Sequence, residues 1–132
     1  MKSKIFITGA AGFIGFHAAK KFLDKGIKVH GFDSINNYYD VRLKISRLNI
    51  LKKYNNFSFT KGLLEKQKIL SQSVLKFKPT IIIHLAAQAG IRYSIDNPNI
   101  YLNSNILGTF NLIKIANKIK VKHLIIGSSS SV

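Results

Sequence analysis

Three glycines, Gly9, Gly12 and Gly15, stand at three-residue spacing directly behind the apolar run Lys4-Ile5-Phe6-Ile7-Thr8. A strand that feeds a glycine-rich turn and then a helix presents backbone N–H groups to the pyrophosphate of a dinucleotide. In such a turn Gly9 permits the tight bend, Gly12 lets the backbone approach phosphate, and Gly15 allows close helix–strand contact. Asp33 closes the next apolar run, 18 residues beyond the last glycine. A carboxylate there suits ribose hydroxyls and repels a 2′-phosphate, which favours NAD over NADP. Arg42 and its neighbouring lysines would oppose that effect, but they lie a helix turn or more away. The bland alternative is an ordinary structural turn followed by a solvent-exposed aspartate.

Other reactive groups carry less. Ser129 lies in the run Ser128-Ser129-Ser130-Ser131, which follows an apolar stretch. A nucleophilic or acid–base serine needs a partner base within reach, and no histidine supplies one by position. Read by themselves, four serines behind a strand are most often a polar loop that caps a helix. His84 sits inside an apolar run and reads as a packed structural residue rather than a catalyst. His17, His30 and His123 lack metal-ligand spacing, so no metal is expected. The chain has no cysteine, which excludes disulfides, thiolate metal sites and cysteine nucleophiles.

These groups need a scaffold, and the chain alternates strand and helix patterns with short connections, as βαβ units do. Strands are expected at residues 4–8, 28–33, 57–61, 80–86 and 123–127. Helices are expected at 13–25, 39–53, 65–77 and 100–119, with a loop over 88–99. Ala18, Ala19, Phe22 and Leu23 face the sheet from the first helix, and Gly26 stops it. Leu43, Leu48 and Leu51 form the stripe of the second. Ile106, Phe110, Ile113 and Ile119 make the last helix core-packed. Ile81-Ile82-Ile83 suits a strand covered on both faces. The fold class is α/β, a doubly wound parallel sheet, and ligands of such sheets lie beyond the C-terminal ends of the strands.

With 132 residues, the chain holds at most one domain. Its net charge of +16 raises the question of a polyanionic partner. The lysines are scattered rather than grouped, and Lys, Ile and Asn together exceed a third of the chain. They read as a solvated surface, with no nucleic acid expected. Lys2 and Lys4 ahead of an apolar run imitate a secretory signal, but the glycines interrupt it. No stretch reaches the roughly 18 apolar residues of a membrane span. A cytoplasmic location without membrane attachment is expected.

The glycine spacing, the segment Gly31-Phe32-Asp33-Ser34-Ile35-Asn36-Asn37-Tyr38-Tyr39-Asp40-Val41-Arg42-Leu43-Lys44 and the segment His84-Leu85-Ala86-Ala87-Gln88-Ala89-Gly90-Ile91-Arg92-Tyr93-Ser94 together resemble the extended short-chain dehydrogenase/reductase family. Within it, the latter two segments are most similar to UDP-glucuronate 4-epimerases of capsule and cell-surface polysaccharide synthesis. UDP-glucose 4-epimerases and dTDP-glucose 4,6-dehydratases are the alternatives within the family. A non-catalytic NAD-binding module or a disrupted-gene remnant is the alternative outside it. The resemblance spans the whole chain but corresponds only to the N-terminal part of such an enzyme: a Rossmann NAD-binding domain ending after the fifth strand, with the substrate domain absent.

The resemblance implies that Gly9, Gly12 and Gly15 form the pyrophosphate turn and that Phe13 and Ile14 present backbone amides. Asp33 would hold the adenosine ribose, with Asn36 and Asn37 lining that end. Ala86, Ala87 and Gln88 would border the nicotinamide half, supported by Asn105. Ser129 would hydrogen-bond the sugar hydroxyl undergoing oxidation, and Arg92 and Tyr93 would contact the nucleotide sugar. Arg92 read by itself is equally a surface arginine. Leu63 departs from the pattern, since the family usually carries Gly-Asp where this chain has Gly62-Leu63. The lost hydrogen bond to adenine should weaken binding by about 1 kcal/mol.

Family chemistry is a reversible oxidation at sugar C4 through a 4-keto intermediate, with NAD as hydride acceptor and a tyrosinate as base. A tyrosine of pKa near 10 needs a lysine four residues on to serve. The residues four places after the five tyrosines are Arg42, Leu43, Ser58, Asn97 and Asn105. The chain by itself is therefore expected to lack epimerase activity. A homodimer through the helices at 39–53 or 100–119 is a further expectation, although packing on the sheet explains those stripes as well.

Overall fold

Short apolar runs become strands here because each must pack on both faces of one sheet. The computed structural model describes residues 2–129. Its strands are β1 (Lys4–Thr8), β2 (Lys28–Asp33), β3 (Phe57–Lys61), β4 (Ile81–His84) and β5 (His123–Ile126). All neighbours are parallel, in the order β3-β2-β1-β4-β5. The helices are α1 (Phe13–Asp24), α2 (Val41–Leu51), α3 (Gln67–Phe77), α4 (Ile91–Asp96), α5 (Pro98–Tyr101) and α6 (Gly108–Ile119), with a π-helical turn (Leu102–Leu107) between the last two.

Alternation along the strands sends side chains to two cores. Ile5, Ile7 and Val29 pack against Phe16, Ala19 and Leu23 of α1 and Leu51 of α2. Phe6, Phe32 and Ile82 pack on the other face against Leu70 and Val74 of α3 and Leu112 and Ile115 of α6. Helices on both faces make the sheet doubly wound, as its sequence pattern predicts. Gly26 adopts a left-handed φ of 75° and ends α1. Asp40 caps α2 by accepting the Arg42 N–H at 2.9 Å, so the helix starts at Val41 rather than at 39.

Three expectations about helices are corrected. The stretch 88–99 is not a plain loop, because it contains α4. Leu43 is half-exposed, and Lys44 takes the buried place beside Leu48 and Leu51. In α6 the buried stripe is Gly108, Asn111, Leu112, Ile115 and Ala116, while Phe110 and Ile113 are 55% and 43% exposed and Ile106, in the π turn before it, is 63% exposed. Ile119 alone of the expected set packs against the core. This helix is apolar on more than one side, so periodicity admits two stripes. The π turn before it, Leu102–Leu107, replaces one stretch of the α-helical ladder with i→i+5 bonding.

One polar cluster is built into the core. His30 stacks on Phe6 at 5.1 Å, and its Nδ1 shares a hydrogen bond of 2.7 Å with Ser58. Its Nε2 meets Thr60 at 3.0 Å and Ser73 at 2.9 Å. Burial, with a smaller push from Lys76, lowers the His30 pKa to about 4. Among the described residues no helix is long and apolar enough to cross a membrane, and no group of His, Asp or Glu is placed to hold a metal.

Candidate functional site

β1 lies at the middle of the sheet, with β2 on one side and β4 on the other, so the connections that follow these strands diverge. A crevice opens where they part, beyond the C-terminal strand ends. It measures about 190 Å³, opens to solvent, and is lined by residues from the loops after β1, β2, β3 and β4.

The floor is the glycine turn. Gly9 has φ 74°, and its N–H donates to the Phe32 carbonyl at 2.8 Å. A Cβ on Gly9 would meet the Ala86 nitrogen at 2.9 Å, and one on Gly15 would overlap the Gly9 carbonyl oxygen. Both positions therefore demand glycine, one for conformation as well as space. At the start of α1 the N–H groups of Phe13 and Ile14 have no carbonyl a turn earlier to bond within the helix, and the helix dipole adds partial positive charge. Their side chains point outward and are largely exposed.

Asp33 is buried, not a solvent-exposed aspartate. Its Oδ2 accepts the Ala11 N–H at 3.0 Å and its Oδ1 accepts the Ile35 N–H at 2.9 Å. Each oxygen keeps further acceptor capacity toward the crevice it lines. The Arg47 guanidinium donates to the Ala11 carbonyl at 3.3 Å and lies 5.8 Å from the Phe13 ring, bringing positive charge to the turn.

Of the residues expected at the site, Gly9, Gly12, Asp33, Asn36, Leu63, Ala86, Ala87 and Gln88 line the crevice together. Asn105, in the π turn, acts from behind. Its Oδ1 accepts the Gln88 N–H at 2.8 Å and its Nδ2 donates to the Gln88 carbonyl at 3.0 Å. Leu63 presents an apolar side chain, and Asn111 of α6 holds the loop behind it by donating to the Leu64 carbonyl at 3.1 Å. Asn37 is exposed away from the lining. Arg92 is exposed on α4, and Tyr93 packs on Tyr38 at 4.8 Å between ring centres, so neither lines the crevice. Ser129 follows β5 by three residues and is exposed. Ser130 and Ser131 lie outside the described residues.

His84 is a packed residue. Its Nδ1 shares a 2.7 Å hydrogen bond with Thr8 and its Nε2 one of 2.8 Å with Thr109, while burial lowers its pKa to about 4. Thr8 Oγ1 also accepts the Leu85 and Ala86 N–H groups at 3.1 Å each, which fixes the chain entering the crevice.

Lys44 was not anticipated. It lines the crevice from α2, is only 8% exposed, and donates to the Asn36 backbone carbonyl at 2.9 Å and Asn36 Oδ1 at 2.8 Å. A signal existed: positions 44, 48 and 51 fall on one helical stripe, so a lysine heads a buried row.

A glycine floor that excludes Cβ atoms, free helix-start amides and a buried carboxylate with spare acceptors fit a dinucleotide with its pyrophosphate at α1 and its ribose at Asp33. Residues 6–132 match the GDP-mannose 4,6 dehydratase family. Protein CapI of Staphylococcus aureus is 49% identical over 129 residues, covering 98% of this chain and 38% of its own length. A UDP-glucuronate 4-epimerase of Thermodesulfobacterium geofontis is 42% identical over 126 residues, covering 96% and 39%. The crystal structure of Thermus thermophilus UDP-glucose 4-epimerase in complex with NAD superposes with a TM-score of 0.77 at 26% identity, covering 92% of this chain and 36% of that one. The chain thus spans less than two fifths of the length of these proteins.

Proposed function

The chain belongs to the GDP-mannose 4,6 dehydratase family, and from that premise we propose that it is the NAD-binding part of a nucleotide-sugar 4-epimerase. The observation that carries the reading is Asp33, buried at the crevice with both oxygens held by backbone amides and facing the glycine turn. UDP-glucuronate is the substrate we favour, because relatives of that name match nearly the whole chain. The likeness to a UDP-glucose 4-epimerase supports UDP-glucose as the second reading. The name CapI supports a place in capsule or cell-surface polysaccharide synthesis. We place the protein in the cytoplasm.

In this reading Gly9, Gly12 and Gly15 with the Phe13 and Ile14 amides seat the pyrophosphate, and Asp33 accepts the adenosine ribose hydroxyls. Ala86, Ala87 and Gln88 border the nicotinamide. NAD supplies hydride acceptance and return at sugar C4. Ser129 holds the C4 hydroxyl, and Arg92 and Tyr93 reach the sugar nucleotide from α4. None of the chain's tyrosines has a lysine four residues later, so the reading assigns the base to residues outside these 132. The exposed Ile106 of the π turn and Phe110 and Ile113 of α6 support pairing of two copies through this segment, to be read by light scattering.

Calorimetric titration of the protein with NAD tests the cofactor assignment. Interconversion of UDP-glucuronate and UDP-galacturonate by the full-length protein, set against UDP-glucose, tests the substrate. Absence of NAD binding overturns the reading at its base.

A further inference from the structure

We propose that Lys44 is a positioning residue that sets a polar gate across the cofactor crevice, formed by Asn36 and Gln88. The inference rests on the crevice being a dinucleotide site.

Lys44 is buried, and among the described residues its ammonium pairs with no carboxylate. Both of its hydrogen bonds go to Asn36. An ammonium only donates, so the Asn36 amide must turn its oxygen toward Lys44 and its nitrogen away. The Nδ2 so directed donates to Gln88 Oε1 at 3.3 Å. Gln88 is itself fixed, since Asn105 holds its backbone on both sides and its Nε2 donates to the Ala89 carbonyl at 3.3 Å.

The position of this link gives it a task. Asn36 follows β2 and Gln88 follows β4, and β1 lies between those strands. The hydrogen bond therefore crosses the C-terminal end of β1, where the glycine turn begins. A dinucleotide reaching from Asp33 to Ala86 and Ala87 must pass beneath it. The link joins two firmly held side chains by one long bond, so parting it is the step that admits or releases the cofactor. A barrier of this kind slows entry and exit together and leaves the equilibrium nearly untouched.

Stopped-flow binding of a fluorescent etheno-NAD to the full protein tests the gate, with Lys44→Met and Lys44→Arg. For Lys44→Met we expect association and dissociation rates each to rise about five- to tenfold, as loss of one hydrogen bond implies, with Kd changed less than threefold. Lys44→Arg, which keeps a charged donor for Asn36, should retain rates near those of the wild type. Lys44→Leu gives an independent test should Lys44→Met fail to fold. Unchanged rates in Lys44→Met overturn the gate, as does a rise in dissociation alone, which marks a simple ligand contact. A rise in association alone overturns it too, because the link would then not re-form over the ligand. If the wild-type protein binds no etheno-NAD and no NAD by calorimetry, the dinucleotide reading itself fails.

Discussion

The carboxylate of Asp33, at the end of β2, accepts the backbone N–H of Ala11, in the turn after β1, at 3.0 Å. One side chain thus shapes the glycine turn and offers its remaining lone pairs to the crevice. Asp33→Ala leaves two backbone amides short of an acceptor, at a cost of about 1–3 kcal/mol each if they stay dry. Denaturant unfolding should show lower stability and calorimetry a large loss of NAD affinity. Undiminished affinity would remove Asp33 from the ribose site.

Cofactor choice follows from the same group. A 2′-phosphate would approach a buried carboxylate, and like charges at close range repel. NAD should bind tighter than NADP by about tenfold or more, 1.4 kcal/mol for each factor of ten. Paired titrations that give equal constants would mean that Lys44 and Arg47 cancel the charge of Asp33.

Gly15 and Gly26 separate space from conformation. A Cβ on Gly15 runs into the Gly9 carbonyl, whereas one on Gly26, at φ 75°, meets nothing within 4 Å. Gly15→Ala should displace the turn, costing about 1–3 kcal/mol and abolishing tight NAD binding. Gly26→Ala should cost about 1–2 kcal/mol of backbone strain and leave NAD affinity intact. Thermal melts with and without NAD read both effects.

Leu63 lines the crevice as a half-exposed apolar side chain. Leu63→Asp adds an acceptor where the adenine amino group is expected. Affinity for NAD should increase by about 1 kcal/mol, several-fold in Kd. A titration showing weaker binding would move the adenine elsewhere.

His30 and His84 are buried with pKa values lowered to about 4, so both fold in the neutral form. The unfolded chain binds protons at these sites below its ordinary histidine pKa near 6.5. Stability from both groups is therefore fully present above about pH 6.5 and is lost as pH falls toward 4. The pH dependence of unfolding should approach two protons taken up in that window. His84→Gln should remove about one of them, and an unchanged slope would assign the titration to other groups.

Much of the scaffold was legible along the chain. β1, β2 and β3 have the expected boundaries, because strands packed on both faces require short apolar runs ended by turn residues. The ends of α2 were harder, since Asp40 competes with the helix for its own first turn. The site was legible where one residue type alone satisfies the backbone, as at Gly9, or where a charge closes a strand, as at Asp33. At Lys44 only the stripe of 44, 48 and 51 was legible, and not the partner of its ammonium, because Asn36 accepts both of its hydrogen bonds from outside the helix.

Local demands of the chain determined β1, β2, β3 and the glycine turn, because φ angles and the alternation of apolar residues are settled among near neighbours. Tertiary structure alone decided which stripe of α6 is buried, and that Asn105 grips Gln88 from 17 residues away and Asn36 meets it from 52. Those pairings come from the strand order β3-β2-β1-β4-β5, which sets separate loops side by side. No local period encodes that order. It follows from the packing of the whole sheet.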